Sequence, residues 1–209
     1  SDLPYRRMMS WDTQTFEDVA LVDVETGRRR TLLERERGSF ALSPGGGWVT
    51  WWDPERTGWF ALSAAGGRPV ELGAGIPWPL DDQLHDTPAL PRSYGSGGWL
   101  ADDAGFLIHD EHDVWLVDPR APESPRCLTE GVGRREGMRF RVVDLDREEE
   151  ALDPAEPLLL SAFHLRTKES GFYRDAVAGA AEPRRLVWMA RDFSTPVRAE
   201  EGGLVRFTR

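Results

Sequence analysis

Three groupings of polar side chains in this 209-residue chain have types and spacings that could do chemistry. The first is the serine-glycine run PRSYGSGG at residues 91–98. A serine nucleophile on a strand-to-helix elbow needs G-x-S-x-G, because glycine on both sides lets the strained turn form. Ser93 has Gly95 two residues after it but Pro91 two before, and Ser96 has Gly98 after it but Tyr94 before. A strand-like segment opens at Trp99, where the elbow would need a helix. The run therefore reads as a glycine-rich loop entering a strand, and no residue is assigned a catalytic role.

The second grouping is His109, Asp110, Glu111, His112 and Asp113. Two imidazoles and three carboxylates are a plausible donor set for zinc or another divalent ion. The segment lies between the apolar runs FLI and VWLVD, so it reads as a hairpin turn. Alternating side chains in a short turn do not converge easily on one ion. A solvated turn is expected, with no metal and no cofactor. The third grouping, Glu148, Glu149 and Glu150, reads as a solvated charge run in an extended turn.

The best candidate for recognition is the irregular connection at residues 76–98, IPWPLDDQLHDTPALPRSYGSGG. Connections longer than about 12–15 residues usually carry function or mobility. Trp78, His85 and Tyr94 give it aromatic and titratable surface, and Asp82 and Asp86 could accept from a peptide amine or a neighbouring arginine. The competing reading is a loop that packs over sheet edges and buries Trp78.

The elements that must position these groups are short and repetitive. FALSPGGGWVTWWD at 40–53 is answered by GWLADDAGFLIHDEHD at 98–113 and again by FRVVDLD…EPLLLSAFHL at 140–165. Each leads into a second hairpin: WFALSAAGGRPVEL, VWLVDPRAPESPRCL and FYRDAVAGAAEPRRL. VALVDVETGRRRTLL at 19–33 matches that second half alone. A repeat of about forty to sixty residues with four short strands marks the blades of a β-propeller. An all-β fold of four-stranded antiparallel blades is expected, as a single domain and an incomplete ring. Its blades fall at about 1–37, 38–73, 98–130, 138–189 and 190–209, with three complete and the terminal ones partial. Residues 6–11 (RRMMSW) supply one strand of the first, and TPVRA and GLVRFT supply strands of the last.

Within this frame Trp48, Val49, Trp51 and Trp52 put large rings on both faces of one strand, as a sheet packed between two others requires. The turns at 42–47 and 101–105 occupy equivalent places, with glycine allowing positive φ and aspartate bonding its own backbone. Helix signals are nearly absent. Cys127, the lone cysteine, reads as a small buried hydrophobe in a strand.

Composition sets further bounds. A formal net charge of −10 argues against nucleic acid, whose phosphates want a basic face. The run Arg28, Arg29, Arg30, Arg35 and Arg37 is expected to decorate a solvated turn and the strand beside it. No apolar stretch reaches the roughly 20 residues of a membrane-spanning helix. Raw blade edges leave edge-to-edge self-association open.

Several stretches carry a resemblance. SWDTQTFEDVALVDVETGRRR, GSFALSPGGGWVTWWD, the LHDTP…YGSGGWL segment, RFRVVDLD and LLLSAFHLRTKESGFYR are similar to the amino-terminal propeller of bacterial prolyl oligopeptidase family serine peptidases. The similarity runs over most of the chain. It implies a non-catalytic propeller, inactive alone, that gates or recognises peptide substrates. An α/β-hydrolase domain of the same polypeptide, beyond Arg209, would carry the Ser-Asp-His triad. Dipeptidyl members of that family hold a substrate's amino terminus with paired glutamates in a D-W-V-Y-E-E setting. The acidic trio at 148–150 lacks that tryptophan and tyrosine, so the role is not carried over. The alternative is a stand-alone propeller serving as a protein–protein scaffold in the bacterial envelope. Family members occur in both cytoplasm and envelope, so the compartment stays open.

Overall fold

The computed structural model describes residues 5, 16–145, 151–190, 193, 196–198 and 205–206. The expected strand at 6–11 and the acidic trio at 148–150 lie outside the described residues. The fold is all-β, with its strands in small antiparallel sheets. Sheet I pairs β1 (Glu17–Val22) with β2 (Arg29–Glu36). Sheet II runs in the order β3 (Phe40–Leu42), β4 (Trp48–Asp53), β5 (Gly58–Ser63), β6 (Val70–Leu72). Sheet III repeats that order with β7 (Ser96–Trp99), β8 (Phe106–His109), β9 (Val114–Val117) and β10 (Arg126–Cys127). Sheet IV does so with β11 (Met138–Val142), β12 (Pro157–His164), β13 (Ser170–Ala176) and β14 (Arg184–Met189). A short pair, β15 (Val197–Arg198) and β16 (Val205–Arg206), follows. Among the described residues the sheets form no closed ring. Each four-stranded sheet is a meander of neighbours in sequence, the arrangement of propeller blades.

Side chains alternate along each strand to the two faces of its sheet, and in the middle strands of sheets II and III both faces are largely buried. On β4, Trp51 points to sheet I and packs with Leu33, Phe60 and Leu62. Its neighbours Trp48 and Trp52 point the other way, into a cluster with Trp99, Phe106 and Ile108 of sheet III. On β8 the alternation repeats: Phe106 and Ile108 face sheet II, while Leu107 joins Phe140, Leu160 and Tyr173 of sheet IV. Cross-strand register places Trp52 opposite Trp59 and Trp51 opposite Phe60, with ring centroids 5.8 Å apart in each pair. Tryptophan on both faces of β4 thus serves packing between sheets, as its alternation predicts.

Polar links fix neighbouring sheets at their turns. The 101–105 segment is a tight turn in which Asp102 and Asp103 take left-handed φ values of 58° and 51°. Asp103 does not bond its own backbone, as its turn position suggests it would. Its buried carboxylate crosses to the equivalent turn of sheet II and accepts from Ser43 Oγ and from the amides of Gly45 and Gly47, each at 2.9 Å. The reason is space. A Cβ built on Gly47 would stand 2.7 Å from Asp103 Oδ2, so only glycine there admits the carboxylate.

A second device recurs on the outer strands. Arg30 of β2 donates to the carbonyls of Ala64 and Ala65 in the β5–β6 turn. Arg126 of β10 donates to the carbonyls of Val177 and Gly179 in the β13–β14 turn. Each guanidinium fork therefore grips the next sheet through main-chain oxygens. Arg28, Arg29 and Arg35 are exposed, as a solvated run would be, but Arg30 does structural work. Cys127 is half-buried rather than core, with Sγ 3.7 Å from Thr129 Oγ1, because β10 is the outer strand. Burial pushes its thiol above the ordinary value. No helix among the described residues is long and apolar enough to cross a membrane.

Candidate functional site

In a four-stranded meander, the turn between the second and third strands and the connection to the next sheet emerge at the same end. Three such segments meet at that end of sheets II to IV: the 73–95 connection, the 110–113 turn, and the β10–β11 connection. The last carries one short helix, α1 (Val132–Glu136), between the left-handed residues Gly131 and Gly137.

The 110–113 turn is not solvated. Asp110 is 0 % exposed, Asp113 2 % and His109 3 %. The turn tucks beneath the β10–β11 connection, and the carboxylates of Asp110 and Asp113 are used up on amides and side chains around them. Asp110 accepts from the amides of His112 (2.6 Å) and Asp113 (2.7 Å) and from Trp115 Nε1 (3.0 Å). Asp113 accepts from Thr129 Oγ1 (2.7 Å) and from the amides of Gly133 (2.9 Å) and Arg134 (3.1 Å) at the start of α1. His112 accepts the Phe140 amide through its carbonyl at 2.8 Å and sets Nδ1 2.7 Å from the Met138 carbonyl, so the turn also holds β11. His109 Nε2 accepts from the Val142 amide at 3.4 Å. Burial first, then the Arg141 charge, hold that imidazole neutral with its pKa lowered to about 3. Among the described residues no group of three or more His, Cys, Asp or Glu is arranged to hold a metal.

The 73–95 connection is a closed loop on an apolar anchor. Ile76 and Leu80 sit in the core between sheets II and III. Above them Asp81 bridges Ser93, and the Tyr94 amide donates to the Leu80 carbonyl at 2.9 Å. Ser93 Oγ accepts the Gly95 amide at 3.2 Å and Ser96 opens β7, so neither serine stands on an elbow.

The five candidate loop residues divide into two groups. Asp82, His85 and Asp86 stay with the loop. Asp82 Oδ1 accepts the Leu84 amide at 3.0 Å, and His85 Nε2 lies 3.0 Å from both the Ala89 carbonyl and Thr87 Oγ1. Asp86 is exposed. This side of the loop flanks a recess of about 720 Å³ against Gly38, Ser39 and Trp52. Trp78 and Tyr94 reach across to sheet IV instead. Trp78 is 41 % exposed, not buried, and the Arg134 guanidinium stacks 3.7 Å from its ring centroid. Arg134 in turn lies 3.4 Å from the Asp110 carboxylate. Tyr94 Oη accepts the Gln83 amide at 3.1 Å, and burial raises the phenol above its ordinary value. The guanidiniums of Arg139 and Arg141 stand 5.8 and 5.7 Å from the Tyr94 ring.

Arg134, Arg139 and Arg141 escape the sequence reading. One signal was available: the period-two spacing of arginine in RFRV, which places both on one face of β11. Burial, and the like charge of Arg139, lower the Arg141 pKa to about 10. The two arginines border a cavity of about 550 Å³, whose other walls include Phe163, Phe172 and Phe193. The arrangement combines cationic, aromatic and apolar surface beside loops, which suits binding rather than bond-breaking. No family model matches the sequence, and no curated protein matches it.

Proposed function

We propose that the chain is the non-catalytic propeller segment of a prolyl oligopeptidase-like serine peptidase, which recognises or gates peptides for an α/β-hydrolase domain beyond Arg209. One observation carries the reading. Blade-like sheets stack so that two connections bring Trp78, Tyr94 and Arg134 to one end, beside Arg139 and Arg141 on the first strand of sheet IV. Aromatic rings and guanidiniums are the side chains that recur at peptide-binding surfaces. Their partners here are main chain, one another and the carboxylates of Asp110 and Glu111. The resemblance of the strand and turn segments to peptidase propellers supplies the rest.

The test uses the full-length native protein. A fluorophosphonate probe is expected to label one serine outside residues 1–209, and the double variant Trp78→Ala, His85→Ala to shift peptide selection with the fold intact. Labelling at Ser93 or Ser96, or a native product that ends close to Arg209 and takes no label, would overturn the proposal. The second of these results would put an interaction scaffold in its place.

A further inference from the structure

We propose that Arg139 and Arg141, with the cavity they border, form a subsite for the carboxylate of a peptide. The inference deepens the peptide-handling reading and rests on it. The two residues lie at alternate positions of β11, so their side chains leave the same face about 6–7 Å apart along the strand. Glu111 Oε1 stands 3.9 Å from Arg139, and the charge of Asp110, whose carboxylate already holds Arg134 and Trp115, reaches Arg141. Glu111 is shared, with its other oxygen 3.7 Å from His112 Nε2. Arg141 bonds main-chain oxygens, those of Phe140 and Glu111. The two guanidiniums thus share carboxylates that are remote or already engaged by other groups, in surroundings where an under-compensated cation is costly.

A ligand carboxylate supplies what is missing, since its two oxygens match the guanidinium fork. The Tyr94 ring stands within 6 Å of both groups and limits how they can fold back. Beyond the arginines the cavity turns apolar, with Phe163, Phe172, Phe193 and Pro196 on its walls and Ser161 at hand for a main-chain contact. Asp144, two residues past the end of β11, also lines it. A volume of about 550 Å³ holds one or two residues. The chemistry selected is a carboxylate with an apolar side chain beside it. It can come from a peptide's carboxyl terminus or from an acidic side chain next to an apolar residue.

Calorimetric titration of the chain with acetyl-Ala-Phe, with its carboxyl-terminal amide, and with acetyl-Glu-Phe-amide separates these sources. The free acid is expected to bind about tenfold more tightly than the amide, from the loss of a paired charge-assisted contact. Restored affinity with acetyl-Glu-Phe-amide would support the subsite and assign the carboxylate to a side chain. Arg139→Gln, on a side chain 32 % exposed, keeps the fold testable and should remove most of the difference between acid and amide. Arg141→Lys should retain part of it. Equal binding of all three peptides, or an acid preference untouched by Arg139→Gln, would overturn the subsite and leave the peptidase reading standing. Acid-selective binding in a protein with no hydrolase domain would do the reverse. Stronger competition by inorganic phosphate than by acetate would overturn the assignment to carboxylates.

Discussion

Substituting Asp103 tests how neighbouring sheets are fixed to one another. Its carboxylate is 4 % exposed and accepts three hydrogen bonds from the turn of the preceding sheet, each at 2.9 Å. Asp103→Ala leaves the buried Ser43 hydroxyl and the Gly47 amide without that acceptor, while the Gly45 amide, more exposed, can turn to water. Hydrogen bonds to a charged group contribute about 1.5–3 kcal/mol each, so losing the two that water cannot replace costs at least about 3 kcal/mol. Alanine must also hold φ near the native 51°, which adds about 1 kcal/mol. Glycine relieves that strain, so Asp103→Gly should cost about 1 kcal/mol less than alanine. Asparagine tolerates the backbone but offers a single oxygen, which sets its NH₂ against at least one donor. Its cost should be about 2 kcal/mol.

Urea midpoints at constant slope read the series directly. The expected order of stability is wild type, Asn, Gly, Ala, and Asp102→Gly, on an exposed neighbour, should stay within about 0.5 kcal/mol of wild type. Gly47→Ala would push its Cβ to 2.7 Å from Oδ2 and expel the carboxylate, so it should be strongly non-additive with Asp103→Ala. A loss below about 1 kcal/mol for Asp103→Ala, or simple additivity with Gly47→Ala, would refute the claim that this carboxylate joins the two sheets.

Arg126→Lys should lower stability by about 1 kcal/mol through loss of the two-carbonyl grip on Val177 and Gly179, read as a shifted urea midpoint. Burial raises Asp175 to about 6, with Oδ2 unpartnered. The unfolded chain therefore ionises first, and stability falls as pH rises from about 4 to 6; Asp175→Asn should flatten that window and gain about 2 kcal/mol at pH 7, seen in midpoints across pH 4–8. For His109, lowered to about 3, the unfolded chain takes its proton first, so stability falls as pH drops from about 6.5 towards 3. His109→Gln, which keeps an acceptor for the Val142 amide, should reduce that acid-side loss in the same titration.

What sequence exposes here is periodicity, and what it hides is contact between segments far apart. The alternation of tryptophans on β4 and of Phe106, Leu107 and Ile108 on β8 announces sheets buried on both faces, because period two is a property of the strand itself. The 109–113 cluster was legible as a turn for the same local reason. Its burial was not, because that depends on where Gly133 and Arg134 pack, some 20 residues later. Gly131, Gly133 and Gly137 were a usable clue, since a Cβ at Gly133 would stand 2.5 Å from the His112 carbonyl. The 73–95 loop was found by its length and aromatic content, yet its role divides. Trp78 and Tyr94 meet arginines from other segments, while Asp82 and His85 brace the loop itself.

The same buried turn explains why a loop-built surface can be rigid. Asp113 fixes the first turn of α1, which sets Arg134, and Asp110 meets the Arg134 guanidinium that stacks on Trp78. His112 holds the amide of Phe140 and the carbonyl of Met138, the strand residues on either side of Arg139. His109 holds the Val142 amide, next to Arg141, while its own amide bonds the carbonyl of Gly95, next to Tyr94. Tyr94, Arg134, Arg139 and Arg141 are therefore each at most one residue, or one ion pair, from a group in the 109–113 turn. Loops positioned this way would need little ordering on binding a ligand, and under the proposed function that saved entropy would let a few contacts hold a short peptide. Two histidines and two aspartates that look like a metal site in sequence thus brace the surface formed by Trp78, Tyr94 and the three arginines.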